Sequence, residues 1–244
     1  MFEIKDLKVS IEDRQIINGI DLDIRAGEIH AIMGPNGAGK SSFAEALMGH
    51  PAMSTSGSIR LHSEELSALP ADERAKKGMF LAFQNPEEVE GVKLGHFVRK
   101  VISSKGGGQD LDRMVEIQQG LVKSAENLGM DKSFVSRELN VGCSGGEKKR
   151  LEVLQMAALR PKFVILDEID SGLDVDGIKL IADAISELND GTRAFLIITH
   201  YPRILKYIKP DFVHVLANGR IIRSGDETLA HKIEEKGYSW LMKK

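Results

Sequence analysis

The first thirty residues alternate between apolar and polar positions, a pattern typical of strands that bury one face. Asn18-Gly19 interrupts the alternation with a turn signal, so the pattern predicts two or three antiparallel strands. The apolar run 28–33 predicts a buried strand that leads into a glycine-rich stretch. Apolar residues at helical spacing follow that stretch, and the local order is therefore strand, glycine loop, helix.

Residues 85 to about 160 have a different, helical periodicity with no strand pattern. It predicts helices over 94–103, 111–128 and 144–159, with the glycine connector 106–108 between the first two. We interpret the chain as a single domain over 1–244. Its core comprises 1–84 and 160–244, and a helical subdomain is inserted at 85–159.

Strand patterns return at 163–166 and 194–199, with one amphipathic helix between them. This alternation implies a parallel sheet. Two short strand patterns then flank Asn218-Gly219, which is a hairpin signal, and 231–241 predicts a closing helix. The patterns together predict an α/β fold: a mixed sheet with flanking helices, an antiparallel part at the N-terminus and a helical insert.

Composition excludes several classes of function. The sum of 33 Lys and Arg against 36 Asp and Glu gives a net charge of −3, whereas nucleic-acid binders normally carry a basic excess. The single cysteine, Cys143, excludes a disulfide scaffold and suits a reducing compartment, so we expect the cytoplasm. The apolar run 79–83 is far shorter than the roughly 18 residues of a membrane span. We expect neither nucleic-acid binding nor membrane insertion.

The glycine-rich stretch contains the phosphate-loop pattern Gly-x-x-x-x-Gly-Lys-Ser. In such a loop backbone N–H groups converge on phosphate oxygens, a lysine adds a positive charge and a serine can bind Mg²⁺. A purely structural glycine turn is the alternative, and the strand before it and the helix after it disfavour that alternative. The residues expected to bind phosphate are Gly34, Pro35, Asn36, Gly37, Ala38, Gly39, Lys40, Ser41 and Ser42.

A pair of acids at the end of the predicted strand 163–166 forms the second half of such a site. A carboxylate at the carboxyl end of a buried strand lies where α/β sheets bind ligands. Asp167 is placed to hold Mg²⁺ through its water shell, and Glu168 can polarise an attacking water. Solvated turn residues are the alternative for a lone acid pair.

The stretch Cys143-Ser144-Gly145-Gly146-Glu147 opens the predicted helix 144–159. Ser144 and Glu147 fit a capping box. Two glycines in the first turn weaken a helix by about 1 kcal/mol each, and the cations at 148–150 lie near the positive end of its dipole. A helix start that is this unfavourable indicates that the N-terminal end of the helix contacts an anion.

These motifs resemble those of the ABC-type ATPases, whose signature Leu-Ser-Gly-Gly-Gln is here Cys-Ser-Gly-Gly-Glu. Gln84, Ser171-Gly172-Leu173-Asp174 and His200 follow the order of the family's other motifs. The resemblance implies a P-loop ABC fold and Mg²⁺-dependent ATP hydrolysis. It also implies a transient head-to-tail dimer, in which each ATP lies between the phosphate loop of one copy and the signature residues of the other. Those residues are Ser144, Gly145 and Gly146.

The resemblance assigns roles to individual residues. Gln84 would sense Mg²⁺ and the attacking water, His200 would contact the γ-phosphate, and Asp174 would couple the two copies. The implied catalytic residues are Glu168, His200, Lys40 and Gln84. The implied metal ligands are Ser41, Gln84 and Asp167.

Two departures from the family pattern carry expectations of their own. Residues 3–42 contain no Phe, Tyr or Trp, whereas many ABC ATPases stack adenine on an aromatic residue in this region, so we expect weak base stacking unless Phe2 reaches the base. The signature glutamate places a negative charge near the expected phosphate. We also expect Lys149 to pair with Glu168 or Asp170 in the resting chain.

A closer resemblance, almost end to end, is to the ATPases of the SUF iron–sulfur cluster assembly system. It is carried by 83–92, 140–150, 170–174, 199–201 and 207–226. It implies scaffold partners of the SufB and SufD type. The alternative is the ATPase subunit of a membrane ABC transporter that docks on a separate permease.

The segment 85–97 mixes acidic and apolar residues directly after Gln84, and we expect a partner to dock there. Leu94 and Phe97 fit core positions of the following helix. Val89 and Val92 precede that helix among polar and glycine residues, which favours exposure at an interface.

Overall fold

The computed structural model describes residues 1–104, 111–200 and 202–242, and the glycine connector expected at 106–108 lies outside them. The strands are β1 (Phe2–Ile11), β2 (Arg14–Ile24), β3 (Ile29–Met33), β4 (Met53–Leu61), β5 (Glu64–Glu65), β6 (Met79–Ala82), β7 (Val89–Lys93), β8 (Glu138–Leu139), β9 (Phe163–Asp167), β10 (Ala194–Ile198), β11 (Phe212–Ala217) and β12 (Arg220–Gly225). The helices are α1 (Lys40–Met48), α2 (Ala71–Lys77), α3 (Leu94–Ser104), α4 (Leu111–Asn127), α5 (Gly145–Leu159), α6 (Val175–Leu188), α7 (Leu205–Ile208), α8 (Glu227–Lys236) and α9 (Ser239–Met242). A 3₁₀ helix spans Lys132–Ser136.

A six-stranded mixed sheet carries the elements that the motifs predict. Its order is β12-β11-β3-β10-β9-β6, and its neighbouring strands are parallel except for the β11–β12 hairpin. The strands β3, β9 and β10 are buried along their whole length, because apolar layers cover both faces. The predicted α/β fold with a mixed sheet is confirmed.

The predicted antiparallel strands at the N-terminus are also confirmed, and they belong to a second sheet, of order β2-β1-β4-β5. The turn predicted at Asn18-Gly19 is wrong, because the chain turns at residues 12–13 and Asn18-Gly19 lies within β2. Apolar residues of this sheet share one core cluster with α1 and with one face of the six-stranded sheet. The helix that follows the phosphate loop is therefore fixed between two sheets. In the described ranges none of the helices has both the length and the apolarity needed to cross a bilayer.

Two further local predictions are wrong. The stretch 85–160 does contain strands, because β7 and β8 pair antiparallel with Val89 opposite Leu139. Both strands are short and their pairing depends on residues distant in the chain, so neither leaves an alternating pattern of its own. The closing helix is two helices, α8 and α9, since Gly237 adopts a left-handed φ of 66° between them.

The C-terminal end of α1 is held by Arg74, a residue of α2 that is only 2% exposed. Its guanidinium donates to the carbonyl oxygens of Ala46 at 3.0 Å and Leu47 at 2.8 Å, in the last turn of α1. It also donates to the carbonyl oxygens of Leu69 and Ser67, each at 2.8 Å. One buried cation therefore satisfies four carbonyls and complements the negative end of the helix dipole.

We predict that Arg74→Met lowers the free energy of unfolding by about 3 kcal/mol, since it leaves buried carbonyls without donors. Denaturant unfolding followed by circular dichroism measures this change. The control is Arg60→Met, because Arg60 forms an exposed ion pair with Glu65, and such pairs contribute little. Equal stability of the two variants would contradict the anchoring role of Arg74.

Candidate functional site

The phosphate loop joins β3 to α1 and can form only with glycine at defined positions. A Cβ atom at Gly34 would lie 2.2 Å from the carbonyl oxygen of Leu216, so no larger residue fits there. Gly37 and Gly39 adopt left-handed φ angles of 76° and 99°. Within this loop, the Lys40 ammonium donates to the carbonyl oxygens of Gly34 at 3.0 Å and Pro35 at 3.2 Å.

The first turn of α1 suits an anion. It has neither a side-chain cap nor an acidic residue, so its N–H groups and the positive end of its dipole point into the loop. Burial lowers the pKa of Lys40, while the nearby carboxylates Glu168 and Asp167 oppose that shift. The loop therefore offers backbone donors and one buried ammonium to a phosphate.

Asp167 ends β9 and is 3% exposed. Burial raises its pKa to about 6, and the neighbouring charge of Glu168 acts in the same direction. Its Oδ1 is buried without a hydrogen-bond partner among the described residues. The Ser41 hydroxyl lies 3.5 Å from the Gln84 amide oxygen on the same side of the site. Oxygen donors of this kind are those that Mg²⁺ prefers, so the residues present fit that ion.

Glu168 is held by two other residues of the predicted site. Its Oε2 accepts a hydrogen bond from the Gln84 amide nitrogen at 2.7 Å, and its Oε1 lies 2.9 Å from Nδ1 of His200. The backbone of Glu168 is left-handed, with φ 47°, and its N–H donates to the carbonyl oxygen of Ile198 at 2.8 Å. Such a conformation costs about 1–3 kcal/mol in a residue other than glycine, and it is typical of functional sites.

These groups surround an open cleft of about 520 Å³, which lies within the usual range of ligand pockets. Its lining residues are Arg14, Ile16, Asn36, Gly37, Gly39, Lys40, Ser41, Ser42, Gln84, Glu168 and His200. Arg14 and Ile16 come from β2, and no sequence motif marks them as site residues. The signature residues Ser144, Gly145 and Gly146 are absent from this lining.

The signature residues begin α5, with Ser144 and Gly145 exposed. The predicted capping box is confirmed, since Ser144 Oγ accepts from the Glu147 N–H and the Glu147 carboxylate accepts from the Ser144 N–H at 2.8 Å. The Ser144 hydroxyl also donates to this carboxylate, which lowers the pKa of Glu147. The negative charge of Glu147 therefore faces the N-terminal end of its own helix.

The pairing predicted for Lys149 is wrong. Its ammonium donates to the carbonyl oxygens of Phe83 at 3.0 Å and Gln84 at 2.6 Å rather than to Glu168 or Asp170. Asp170 instead accepts from the Thr199 hydroxyl at 3.2 Å. The segment after β6 brings backbone acceptors closer to the ammonium than either acid.

Phe2 cannot stack on a base in the cleft. It is 0% exposed, and its ring stacks on that of Phe163 in the core with centroids 3.7 Å apart. The cleft lining therefore contains no aromatic ring apart from the imidazole of His200.

Comparison with known proteins agrees with this geometry. The family described as ABC transporter matches residues 17–171. Relatives include the probable ATP-dependent transporter SufC of Escherichia coli K12, 48% identical over 99% of this chain and 98% of its own length. The probable ATP-dependent transporter ycf16 of Pyropia yezoensis is 47% identical over 99% of this chain and 97% of its own length.

Solved structures share the fold at lower identity. An ATP-binding subunit of an ABC transporter superposes with a TM-score of 0.82 at 21% identity, over 100% of both chains. A dimeric bacterial ABC transporter cassette gives 0.77 at 20% identity, over 93% of this chain and 99% of that one. The chain therefore belongs to the ABC transporter family and is one of its ATP-hydrolysing cassettes.

Proposed function

We propose that this ATPase drives conformational change of a SufB- and SufD-type scaffold during iron–sulfur cluster assembly in the cytoplasm. One observation carries the proposal: 48% identity, over almost the whole of both chains, to the relative named SufC. The sequence blocks that resemble the SUF-system ATPases support the same assignment. Docking on a membrane permease is the alternative outcome of the partner experiment below.

In the proposed reaction the phosphate loop and Lys40 bind the ATP phosphates, and Glu168 orients the attacking water. Gln84 and His200 support this role, since both lie within hydrogen-bond distance of the Glu168 carboxylate. Phosphoryl transfer depends on positioning and on stabilisation of charge, and these buried and half-buried polar groups are suited to both.

Asp167, Ser41 and Gln84 would hold Mg²⁺. When bound, the ion would neutralise charge on the β- and γ-phosphate oxygens. The unpartnered, buried Asp167 Oδ1 supports this assignment, because an ionised carboxylate in such a place needs a cation or a donor.

We propose that a second copy completes the site. The helical insert at 85–159 would present Ser144, Gly145 and Gly146 to the ATP held by the other copy. Two facts support this arrangement. The signature residues lie outside the lining of the cleft in their own chain, and a related fold has been solved as a dimeric cassette.

Glu168→Gln should retain ATP binding and lower the turnover number by about 100-fold, because the amide cannot accept a proton from water. It should also accumulate an ATP-bound dimer. Phosphate release measures the first effect, and sedimentation with ATP measures the second. The control Glu187→Gln changes an exposed acid of α6 and should hydrolyse ATP like the wild type. Normal turnover by Glu168→Gln would refute the assigned role.

ATP and GTP should bind with dissociation constants within about tenfold of each other, because phosphate contacts dominate when no aromatic side chain stacks on the base. Stacking on an aromatic residue contributes about 1–3 kcal/mol in nucleic-acid-binding proteins. Competitive titration with a fluorescent nucleotide measures the ratio. A hundredfold preference for ATP would show that Arg14, Ile16 or another residue of the cleft reads the base.

The proposed docking surface for the scaffold is the segment 85–97 with the apolar groove beside it. The groove measures about 350 Å³ and is lined by Phe80, Phe83, Phe97 and Val101 among others. Phe83 is 48% exposed and Val89 is 37% exposed, whereas Leu94 is 1% exposed. Exposed apolar side chains beside acids form the kind of centre and rim that protein interfaces have.

Changing Val89 and Val92 together to Asp should abolish co-purification with the SufB- or SufD-type scaffold, because two charges would be buried in the interface. ATP binding by the isolated chain should stay intact. Val115→Asp is the control, since Val115 is 53% exposed on α4, outside this segment. An unchanged complex would place the docking site elsewhere, and recovery of the wild type with a membrane permease would favour the transporter alternative.

A further inference from the structure

Two buried charged side chains of α5 hold the backbone of the segment that follows β6. Lys149 donates to the carbonyl oxygens of Phe83 at 3.0 Å and Gln84 at 2.6 Å. Glu152 accepts from the N–H of Phe83 at 3.3 Å. Lys149 and Glu152 are three residues apart, so they share one face of the helix. We call this arrangement of two side chains and the backbone groups of Phe83 and Gln84 the backbone clamp.

The clamped segment continues directly into the cleft. The side-chain amide of Gln84 donates to Glu168 at 2.7 Å, and its oxygen lies 3.5 Å from the Ser41 hydroxyl. The backbone of Gln84 is therefore fixed by α5, while its side chain touches the group proposed to orient the attacking water. A continuous set of contacts joins the helix of the signature residues to the cleft.

Burying the two side chains of the clamp costs free energy, because both are ionisable. Lys149 is 3% exposed and Glu152 is 6% exposed, and the attraction between their charges offsets the cost of burial only in part, since burial is the largest cause of both pKa shifts. Burial lowers the pKa of Lys149 and raises that of Glu152 to about 7. Their neighbours Leu151, Val153 and Leu154 are buried and apolar. Apolar side chains at 149 and 152 would carry no such desolvation cost, so the choice of two ionisable side chains points to a task other than packing.

We propose that Lys149 and Glu152 are positioning residues for ATP hydrolysis. They fix the peptide units of Phe83 and Gln84 on α5, and the Gln84 amide then holds the Glu168 carboxylate in place. Neither residue touches the substrate. The inference rests on the proposed role of Glu168, and it adds that displacement of α5 is passed to that carboxylate through the clamp.

The test combines Lys149→Met and Glu152→Leu, each alone and with Gln84→Ala, in steady-state ATPase assays on the isolated chain. Each single change should lower kcat about tenfold, equivalent to about 1.4 kcal/mol, and leave KM for ATP within about twofold. In the Gln84→Ala background neither change should lower kcat further, because residues that act through one group are not additive. Lys149→Arg keeps the donors and should recover most of the activity.

Lys148→Met is the matched control, because the Lys148 ammonium pairs with Glu88 instead, at 2.9 Å. It should hydrolyse ATP like the wild type. Equal losses of kcat with and without Gln84 would overturn the proposal in favour of a purely structural role, and so would wild-type kcat in both clamp variants. If Lys149→Met fails to fold, the kcat values of Glu152→Leu and Lys149→Arg test the proposal instead. Normal turnover by Glu168→Gln would instead defeat the proposed function, so the two failures are distinguishable.

Discussion

The site depends on the parallel pairing of four buried strands. In register, Ile198 of β10 lies beside Ile32 of β3 on one side and Asp167 of β9 on the other, and Ala82 of β6 lies beside Leu166 of β9. Because the strands run in one direction, their carboxyl ends meet at one edge of the sheet. The phosphate loop, the acid pair, Gln84 and His200 all lie at or just beyond those ends. A shift of one register position would separate them.

This edge concentrates buried charge, and the pKa shifts reflect its cost. Burial lowers the pKa of Lys40 and raises those of Asp167 and Asp170. Lys40 and Asp167 attract each other, but this attraction offsets the cost of their burial only in part, since charges in a partly desolvated site must also satisfy their hydrogen bonds. A bound phosphate would neutralise part of the positive charge here, and a divalent cation would neutralise part of the negative charge. A nucleotide-binding site therefore suits this edge of the sheet.

The helix α5 connects two parts of the chain that are far apart in the sequence, the signature residues and the segment after β6. Its first turn is capped by Ser144 and Glu147 on the protein surface, and its next turn reaches the segment after β6 through Lys149 and Glu152. A helix is stiff over this length, so a force applied at its exposed end would be transmitted to the clamped peptide units. The apolar groove proposed as part of the docking surface lies beside the same segment, since Phe83 and Glu152 line it. The proposed docking surface, the signature residues and the cleft therefore all adjoin the backbone of Phe83 and Gln84.

The sequence by itself determined the α/β fold, the phosphate loop, the acid pair at the end of β9 and the capping box of α5. Each of these depends on residues that are close in the chain, where periodicity, glycine and capping chemistry act directly. Only the tertiary structure decided the β7–β8 pairing, the burial of Phe2 against Phe163 and the partners of Lys149. The Lys149 ammonium meets carbonyls 65 and 66 positions away in the chain. Such contacts are selected by packing and by the need to satisfy buried polar groups, and no local pattern encodes them.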